Sequence, residues 1–262
     1  MEASLPCRAS HAGDPMVSVS RRAAIGGLLS SVASPSVLHA LSDNLLSFYF
    51  GCGCFWHVQH EFIEAERRVL RRGDRELTSL AGFAGGNAGA SGGKVCYHNA
   101  AFVADYGKLG HAEVVRVMLP PDKDVFKEFA KEYCRLFDKN GYRPDQLGDR
   151  GPEYRNLIGM PGGASSEWVS LMVEASREEG DKLDFAVGKG DDGDVRALAW
   201  VMDSNRHPFY QAEPYHQFHD GFAWGEDYPN SYNNLQGLQR KAGLIADTNC
   251  PNGMLGMGIA GL

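Results

Sequence analysis

The sequence has no apolar run long enough to cross a bilayer, which takes about 20 residues, and it has no cluster of lysine and arginine. Over its 262 residues, 33 acidic side chains outnumber 26 lysines and arginines, so the formal net charge is -7 at pH 7. An acidic balance without basic clusters disfavours the phosphates of nucleic acids and of anionic lipids. We therefore expect neither nucleic acid nor a membrane as the main partner.

A disulfide framework and a zinc knuckle are also lacking. Cys52, Cys54, His57 and His60 are four potential zinc ligands close together, but zinc sites usually pair C-x-x-C or H-x-x-x-H motifs from two separated segments. No second motif follows, so we predict no metal. The six cysteines stand at irregular spacings: Cys7, Cys52, Cys54, Cys96, Cys134 and Cys250.

Internal repeats and a phosphate-binding motif are absent as well. The glycine-rich residues 87–93 are not followed by Gly-Lys-Ser/Thr, so we predict a surface loop there. With 43% apolar and 23% charged residues, the composition is ordinary for a soluble globular protein. The length fits one large domain with tails.

Residues 1–42 differ from the rest of the chain. The pair Arg21 and Arg22 precedes a weakly apolar stretch of small residues that ends near Ala40. Such a pattern is typical of a twin-arginine targeting signal. It predicts an organellar location, such as a plastid, or export from a start at Met16. The alternative is a disordered N-terminus with two incidental arginines, in which case the protein stays in the cytoplasm.

The rest of the chain is organised around a strand that turns into a helix. Residues 46–50 are apolar and aromatic, as in a buried strand, and apolar side chains then recur at helical spacing from Phe55 until Gly73. Cys54 falls at the start of this helix, where unpaired N–H groups and the macrodipole favour a thiolate. The pattern predicts a nucleophile; the alternative is a small buried hydrophobic residue.

Two further side chains are candidates for chemistry. Glu113 begins a predicted strand over residues 111–119, and an acid partly withdrawn from water has a raised pKa and can donate a proton. Cys250 lies in a glycine-rich tail that could approach a distant thiolate. A solvated glutamate and a chance surface cysteine are the alternatives. The remaining patterns predict strands over 76–83 and 195–202, helices over 124–137 and 165–179, loops over 142–155 and 208–217, and a short helical piece at 235–241.

Four blocks of sequence together resemble the A-type peptide methionine sulfoxide reductases. They are Gly53-Cys54-Phe55-Trp56, Gly110-His111-Ala112-Glu113-Val114-Val115, Asp149 with Glu153-Tyr154-Arg155, and Phe209-Tyr210-x-Ala212-Glu213-x-Tyr215-His216-Gln217. The blocks follow the family's order at compatible spacing. The resemblance implies an α+β fold, a ferredoxin-like two-layer sandwich with long coil extensions. It divides the chain into a catalytic domain over 43–220 and a C-terminal tail over 221–262.

The resemblance also implies a chemistry for this site. Cys54 attacks the sulfur of methionine-S-sulfoxide, whose methyl group lies against Phe55 and Trp56, and Glu113 protonates the departing oxygen. Asp149 and Tyr154 match the family's polar helpers around that oxygen. A second thiol condenses with the Cys54 sulfenic acid, and an external dithiol such as thioredoxin reduces the disulfide. We expect no other cofactor, and a monomer that repairs oxidised proteins or reduces free methionine sulfoxide.

The sequence departs from the family at three places. Phe83 stands where the family commonly has a tyrosine, and His57 replaces a small residue. The loop between Gly86 and Gly110 is longer than expected. For the second thiol we favour Cys250 and leave Cys96 open. A thiol peroxidase and a non-catalytic binder of oxidised methionine are the rival functions.

Overall fold

The computed structural model describes residues 44–87, 89, 92–144, 148–219 and 228–251. The predicted targeting segment over 1–42 lies outside the described residues, as does the end of the predicted tail from residue 252 onward. The domain boundaries proposed from the sequence therefore stay predictions.

One mixed sheet forms the centre of the described chain, in the order β5-β6-β4-β1-β3-β2-β7. Its central strands β4, β1, β3 and β2 are antiparallel to one another, whereas β6 pairs in parallel with both β4 and β5. The order 4-1-3-2, with a helix between β1 and β2 and another between β3 and β4, is that of the predicted ferredoxin-like fold, which is confirmed. The strands are β1 (Leu46–Gly51), β2 (Leu80–Ala84), β3 (Ala112–Leu119), β4 (Leu157–Met160), β5 (Asp184–Val187), β6 (Leu198–Asp203) and β7 (Tyr210–Gln211).

Three helices cover one face of this sheet. Alternate residues of a strand point to opposite faces, so Phe48 and Phe50 of β1 meet the helices, with ring centroids 4.8 Å from Phe126 and 4.7 Å from Phe62. Burial of such aromatic side chains is the main source of stability for the two layers. These helices are α1 (Phe55–Leu70), α2 (Lys123–Arg135) and α3 (Trp168–Glu178), and the fourth, α4 (Asn230–Lys241), packs beside them on a smaller cluster.

Coil covers the opposite face of the sheet. Tyr49 points to this side, and its hydroxyl donates a hydrogen bond of 2.9 Å to the carbonyl oxygen of His207. Gly159 of β4 faces the Tyr49 ring so closely that a Cβ atom there would lie 2.0 Å from it. A glycine is therefore required at this crossing.

Several boundaries differ from those predicted. The second strand is shorter and begins at Leu80, and α3 begins at Trp168 after a 3-10 turn. The helix α1 ends at Leu70, where Arg71 rather than Gly73 adopts the left-handed conformation, with φ 57°. The strands β4, β5 and β7 were not predicted, because runs of two to four residues carry too little periodicity and depend on their sheet neighbours.

Within the described ranges, none of the helices has both the length and the apolar character that a membrane span requires.

Candidate active site

Cys54 occupies the N-cap of α1, immediately before the first helical residue, Phe55. This is the helix start predicted from the sequence. The preceding turn is held by Gly53, whose N–H donates a hydrogen bond of 3.0 Å to the Tyr154 carbonyl oxygen and whose φ is +74°. Cys54 is half-buried and is not in a disulfide. Its sulfur therefore lies at the positive end of a 16-residue helix, a position that stabilises a thiolate.

Glu113 lies on the second residue of β3 and is buried directly beneath this helix start. Its Oε2 accepts a hydrogen bond of 3.0 Å from the Phe55 N–H, and its side chain also hydrogen-bonds with Cys54. Burial raises the pKa of Glu113 to about 8, although the hydrogen bond from Phe55 lowers it. The carboxyl is therefore mostly protonated at neutral pH, as a general acid must be.

A tyrosine hydroxyl is supplied here by the long segment before β3. The Tyr106 hydroxyl donates a hydrogen bond of 3.3 Å to Oε1 of Glu113. The Tyr106 ring stacks on Phe83, with centroids 4.5 Å apart and planes at 18°. Tyr106 thus places a hydroxyl next to Phe83, which lacks one. Tyr106 belongs to none of the four sequence blocks.

The same segment contributes Tyr97, whose ring stacks on Tyr106 with centroids 5.7 Å apart. Its phenol lies within electrostatic reach of Glu113, Tyr154 and Cys54, and burial, more than these charges, raises its pKa. The residues between 92 and 111 form no helix or strand but are fixed by an isolated bridge between Cys96 and Asp105. This irregular segment therefore forms one side of the site, which its polar composition did not predict.

Aromatic rings from the fourth sequence block complete the enclosure. The ring of His216 lies 5.2 Å from Phe55, 5.8 Å from Trp56 and 4.3 Å from Tyr97, centroid to centroid. Burial lowers the pKa of His216 to about 3, so the imidazole is neutral. Phe55 and Trp56, predicted as the apolar slot, therefore face a third uncharged ring, that of His216, for which no role was predicted.

Asp149 and Tyr154 also come to this place. Burial and then the charges of Glu113, Asp149 and Cys54 raise the pKa of Tyr154, so the phenol is protonated. Burial likewise raises the pKa of Asp149, against the opposite effect of Arg143. Glu113 and Tyr154 thus lie within electrostatic reach of Cys54, and Asp149 lies within reach of both Glu113 and Tyr154.

The alternative zinc reading gains no support from the geometry. Cys52 is buried at the end of β1, and burial raises the pKa of its thiol to about 12. In the part of the chain that the structure describes, Cys52, Cys54, His57 and His60 do not gather as a ligand set. Cys52 and Cys134 are packing residues.

Cys250 is disulfide-bonded to Cys96, with Cα atoms 5.6 Å apart. The sequence favoured Cys250 as the partner of Cys54 and left Cys96 open; the structure joins these two candidates to each other. Cys96 is fully buried, whereas Cys250 is half-buried near the end of the described chain. Both cysteines therefore form one disulfide, and in the structure neither is bonded to Cys54.

The chain is similar in sequence to proteins of known function. No family model matches the chain. The chain is 30% identical over 191 residues to peptide methionine sulfoxide reductase MsrA of Methylococcus capsulatus, covering 72% of this chain and 70% of that one. It is 32% identical over 190 residues to MsrA of Pseudomonas aeruginosa, covering 72% of both. The mitochondrial enzyme of Bos taurus is 32% identical over 170 residues, 64% of this chain and 60% of its own.

Solved structures were also found. Methionine sulfoxide reductase A of Corynebacterium diphtheriae aligns with a TM-score of 0.42 and 20% identity over 71% of this chain and 84% of that one. Reduced Mxr1 of Saccharomyces cerevisiae aligns with a TM-score of 0.41 and 22% identity over 67% and 83%. By its identity to the relatives in Methylococcus and Pseudomonas over more than two thirds of their lengths, the chain belongs to the MsrA family of peptide methionine sulfoxide reductases.

Proposed function

We propose that the protein reduces methionine-S-sulfoxide, free or in proteins, to methionine. The observation that carries the proposal is a buried Glu113, whose pKa burial raises to about 8, hydrogen-bonded with Cys54 at a helix start. A sulfoxide oxygen cannot leave as an oxide ion, so its departure needs a proton donor next to the sulfur nucleophile. The site holds that donor and that nucleophile side by side.

In the first step the Cys54 thiolate attacks the sulfoxide sulfur while Glu113 gives its proton to the oxygen. The methyl group lies against Phe55 and Trp56. Tyr154 and Tyr106 hydrogen-bond the oxygen, with Asp149 as a further polar partner. The attack forms a bond between the Cys54 sulfur and the substrate sulfur. The hydroxyl group then passes from the substrate sulfur to the Cys54 sulfur while this sulfur–sulfur bond breaks. Methionine is released, and Cys54 becomes a sulfenic acid, the first level of cysteine oxidation.

Recycling then uses the two remaining redox cysteines. Cys96 is held by two backbone hydrogen bonds, from its N–H to Ala104 and from Tyr106 to its carbonyl oxygen. Cys250 lies outside any helix or strand. We therefore assign the attack on the sulfenic acid to Cys250, which releases water and forms a Cys54–Cys250 disulfide. Cys96 next displaces Cys54 and forms the Cys96–Cys250 disulfide, which an external dithiol of the thioredoxin type reduces.

The deciding experiment is an assay with each epimer of a methionine sulfoxide substrate and with hydrogen peroxide, using dithiothreitol as the reductant. We expect turnover of the S epimer, with little on the R epimer or on peroxide. Preferred consumption of peroxide would support a thiol peroxidase instead. Saturable binding of the sulfoxide without turnover would support a non-catalytic binder.

The recycling scheme predicts how many methionines a fully reduced enzyme releases without any reductant. Formation of Cys96–Cys250 frees Cys54 for a second attack, so the wild type releases two equivalents. Cys96→Ser stops at a Cys54–Cys250 disulfide and releases one, and Cys250→Ser also releases one. Neither variant turns over with thioredoxin, whereas dithiothreitol rescues both. The control Cys7→Ser releases two, and mass spectrometry identifies each bridge.

A Cys54–Cys96 bridge in Cys250→Ser, together with full thioredoxin-driven turnover, would transfer the first resolving role to Cys96. One equivalent from the wild type would exclude the second disulfide exchange.

The hydroxyl of Tyr106 gives a separate prediction. Tyr106→Phe should slow single-turnover methionine release about fivefold, because one neutral hydrogen bond is worth about 1 kcal/mol. The rate should decline at high pH, where Glu113 loses its proton. In Tyr106→Phe this decline should move to higher pH, because the Tyr106 hydrogen bond lowers the pKa of Glu113. The double variant with Tyr106→Phe and Phe83→Tyr should recover part of the rate. Phe83→Tyr in the wild type should raise the rate only modestly. The control Tyr142→Phe removes the hydroxyl of an exposed tyrosine and should leave the rate of methionine release unchanged.

If Tyr106→Phe keeps the wild-type rate and the wild-type pH profile, then Tyr106 contributes packing only. A slower Phe83→Tyr variant would mean that Phe83 is packed where a hydroxyl finds no partner.

A further inference from the structure

A buried carboxyl group lies against the Cys96–Cys250 disulfide. One carboxyl oxygen of Glu213 is within 4.8 Å of both sulfur atoms. Glu213 is only 8% exposed, and its Oε1 accepts a hydrogen bond of 2.9 Å from the Tyr97 N–H. Its Oε2 is buried and has no hydrogen-bond partner among the described residues. A buried polar atom left unsatisfied costs stability and calls for an explanation.

The two sulfurs differ in how easily they carry charge. Cys96 is fully buried, and a thiolate in such a place is costly because it loses its hydration. Cys250 is half-buried. When an external thiolate attacks Cys250, the sulfur that leaves is therefore the one that least tolerates a negative charge. A proton source beside Cys96 would remove this obstacle.

We propose that Glu213 is the proton-transfer group of the Cys96–Cys250 pair. The inference rests on the recycling scheme above and adds to it the group that supplies and accepts the proton. Burial raises the pKa of Glu213, so this carboxyl keeps its proton to a higher pH than an exposed glutamate does.

Reduction proceeds in two exchanges. An external thiolate attacks the Cys250 sulfur, the bond between Cys96 and Cys250 breaks, and the Cys96 sulfur takes the proton of Glu213. The second thiol of the external dithiol then displaces Cys250 and closes the external disulfide. Two electrons pass from the external dithiol to the Cys96–Cys250 pair.

The oxidative direction uses the same group in reverse. The Cys96 thiol attacks Cys250 in the Cys54–Cys250 disulfide and passes its proton to the Glu213 carboxylate. Cys54 leaves as a thiolate, which the start of α1 stabilises. Glu213 thus returns to its protonated form, ready for the next reduction.

The segment carrying Cys250 is held in place next to Glu213. The Gln211 side chain bonds to the N–H and the carbonyl oxygen of Ala246, at 3.1 and 2.8 Å. The Lys94 amine donates to the Asn249 carbonyl oxygen at 2.6 Å. The proton-transfer geometry is therefore built from three segments. The titratable groups on the segments around Glu213 include Lys94, Cys96, Tyr97, His98, Asp105, Tyr210, Tyr215, His216, Asp247 and Cys250.

The test measures reduction of the preformed Cys96–Cys250 disulfide by dithiothreitol, without any sulfoxide and in the presence of a chelator. Dividing the rate by the thiolate concentration removes the titration of the reductant. For the wild type, the corrected rate should fall as pH rises, because Glu213 loses its proton. Glu213→Gln keeps an acceptor for Tyr97 but cannot titrate; its corrected rate should be about a hundredfold lower at neutral pH, the low end of general-acid effects, and independent of pH.

Two further variants make the result specific. Glu213→Asp should restore a pH-dependent rate, and the exposed-surface control Glu174→Gln should behave as the wild type. A wild-type corrected rate that is flat with pH would overturn the proposal even if every variant misfolded. So would a Glu213→Gln rate within about threefold of the wild type. Because no sulfoxide is present, these outcomes are independent of whether the proposed reductase activity is correct.

Discussion

Cys54→Ser should abolish sulfoxide reduction while leaving the fold at least as stable as the wild type. A serine hydroxyl stays protonated at neutral pH and is a poor attacker of sulfur. The Cys54 side chain does not cap the backbone N–H groups of α1. Serine is among the favoured N-cap residues, and such a cap adds up to about 1 kcal/mol to the free energy of unfolding. Loss of activity should therefore come with an unchanged or raised unfolding temperature.

Single-turnover methionine release and thermal unfolding measured on one preparation check both parts. Activity of the variant near that of the wild type would remove Cys54 as the nucleophile. A strongly lowered unfolding temperature would mean that the loss reports damage to the turn at Gly53. Cys7→Ser serves as the matched control and should leave both quantities unchanged.

Glu113→Gln should slow the sulfenate-forming step by about a hundredfold or more, the usual contribution of a general acid, while the substrate still binds. The wild-type rate should fall as pH rises through about 8, where Glu113 loses its proton. The variant should show no such decline, because an amide does not titrate. Single-turnover release of methionine as a function of pH measures both effects.

The same substitution changes how stability depends on pH. The pKa of Glu113 is raised from its usual 4.5 to about 8 in the folded protein, so between these values the native state binds more protons than the unfolded state. The free energy of unfolding of the wild type should therefore decrease as pH rises through this window, and Glu113→Gln should remove that decrease.

Glu64→Gln is the control for both measurements, because the Glu64 side chain is 45% exposed and pairs with Arg67 on the surface of α1. An unchanged rate of methionine release in Glu113→Gln would place the acid elsewhere. An unchanged pH dependence of unfolding would show that the carboxyl is not desolvated.

The chain order of elements could be read from the sequence because local patterns carry it. The apolar run over 46–50, the helical spacing after Phe55 and the apolar strand after His111 each involve neighbours close in sequence. The structure has β1, α1 and β3 at these places. The short strands β4, β5 and β7 could not be predicted, since each is stabilised by pairing with residues far along the chain.

The sequence alone determined which residues are chemically able to act. Cys54 between a glycine and two aromatic residues, and Glu113 at the beginning of a strand, were candidates because glycine turns, helix starts and strand ends are local features. The resemblance of four ordered blocks to a known family then implied their roles as nucleophile and acid.

The tertiary structure decided which side chains share the site and how the cysteines pair. Tyr106 hydrogen-bonds to Glu113 and stacks beside Phe83, although the sequence predicts no role for the long loop that contains it. Cys250 is joined to Cys96 across 154 residues, next to Glu213. Such contacts depend on where the sheet and the coil bring distant segments together, and no periodicity within either segment encodes that position.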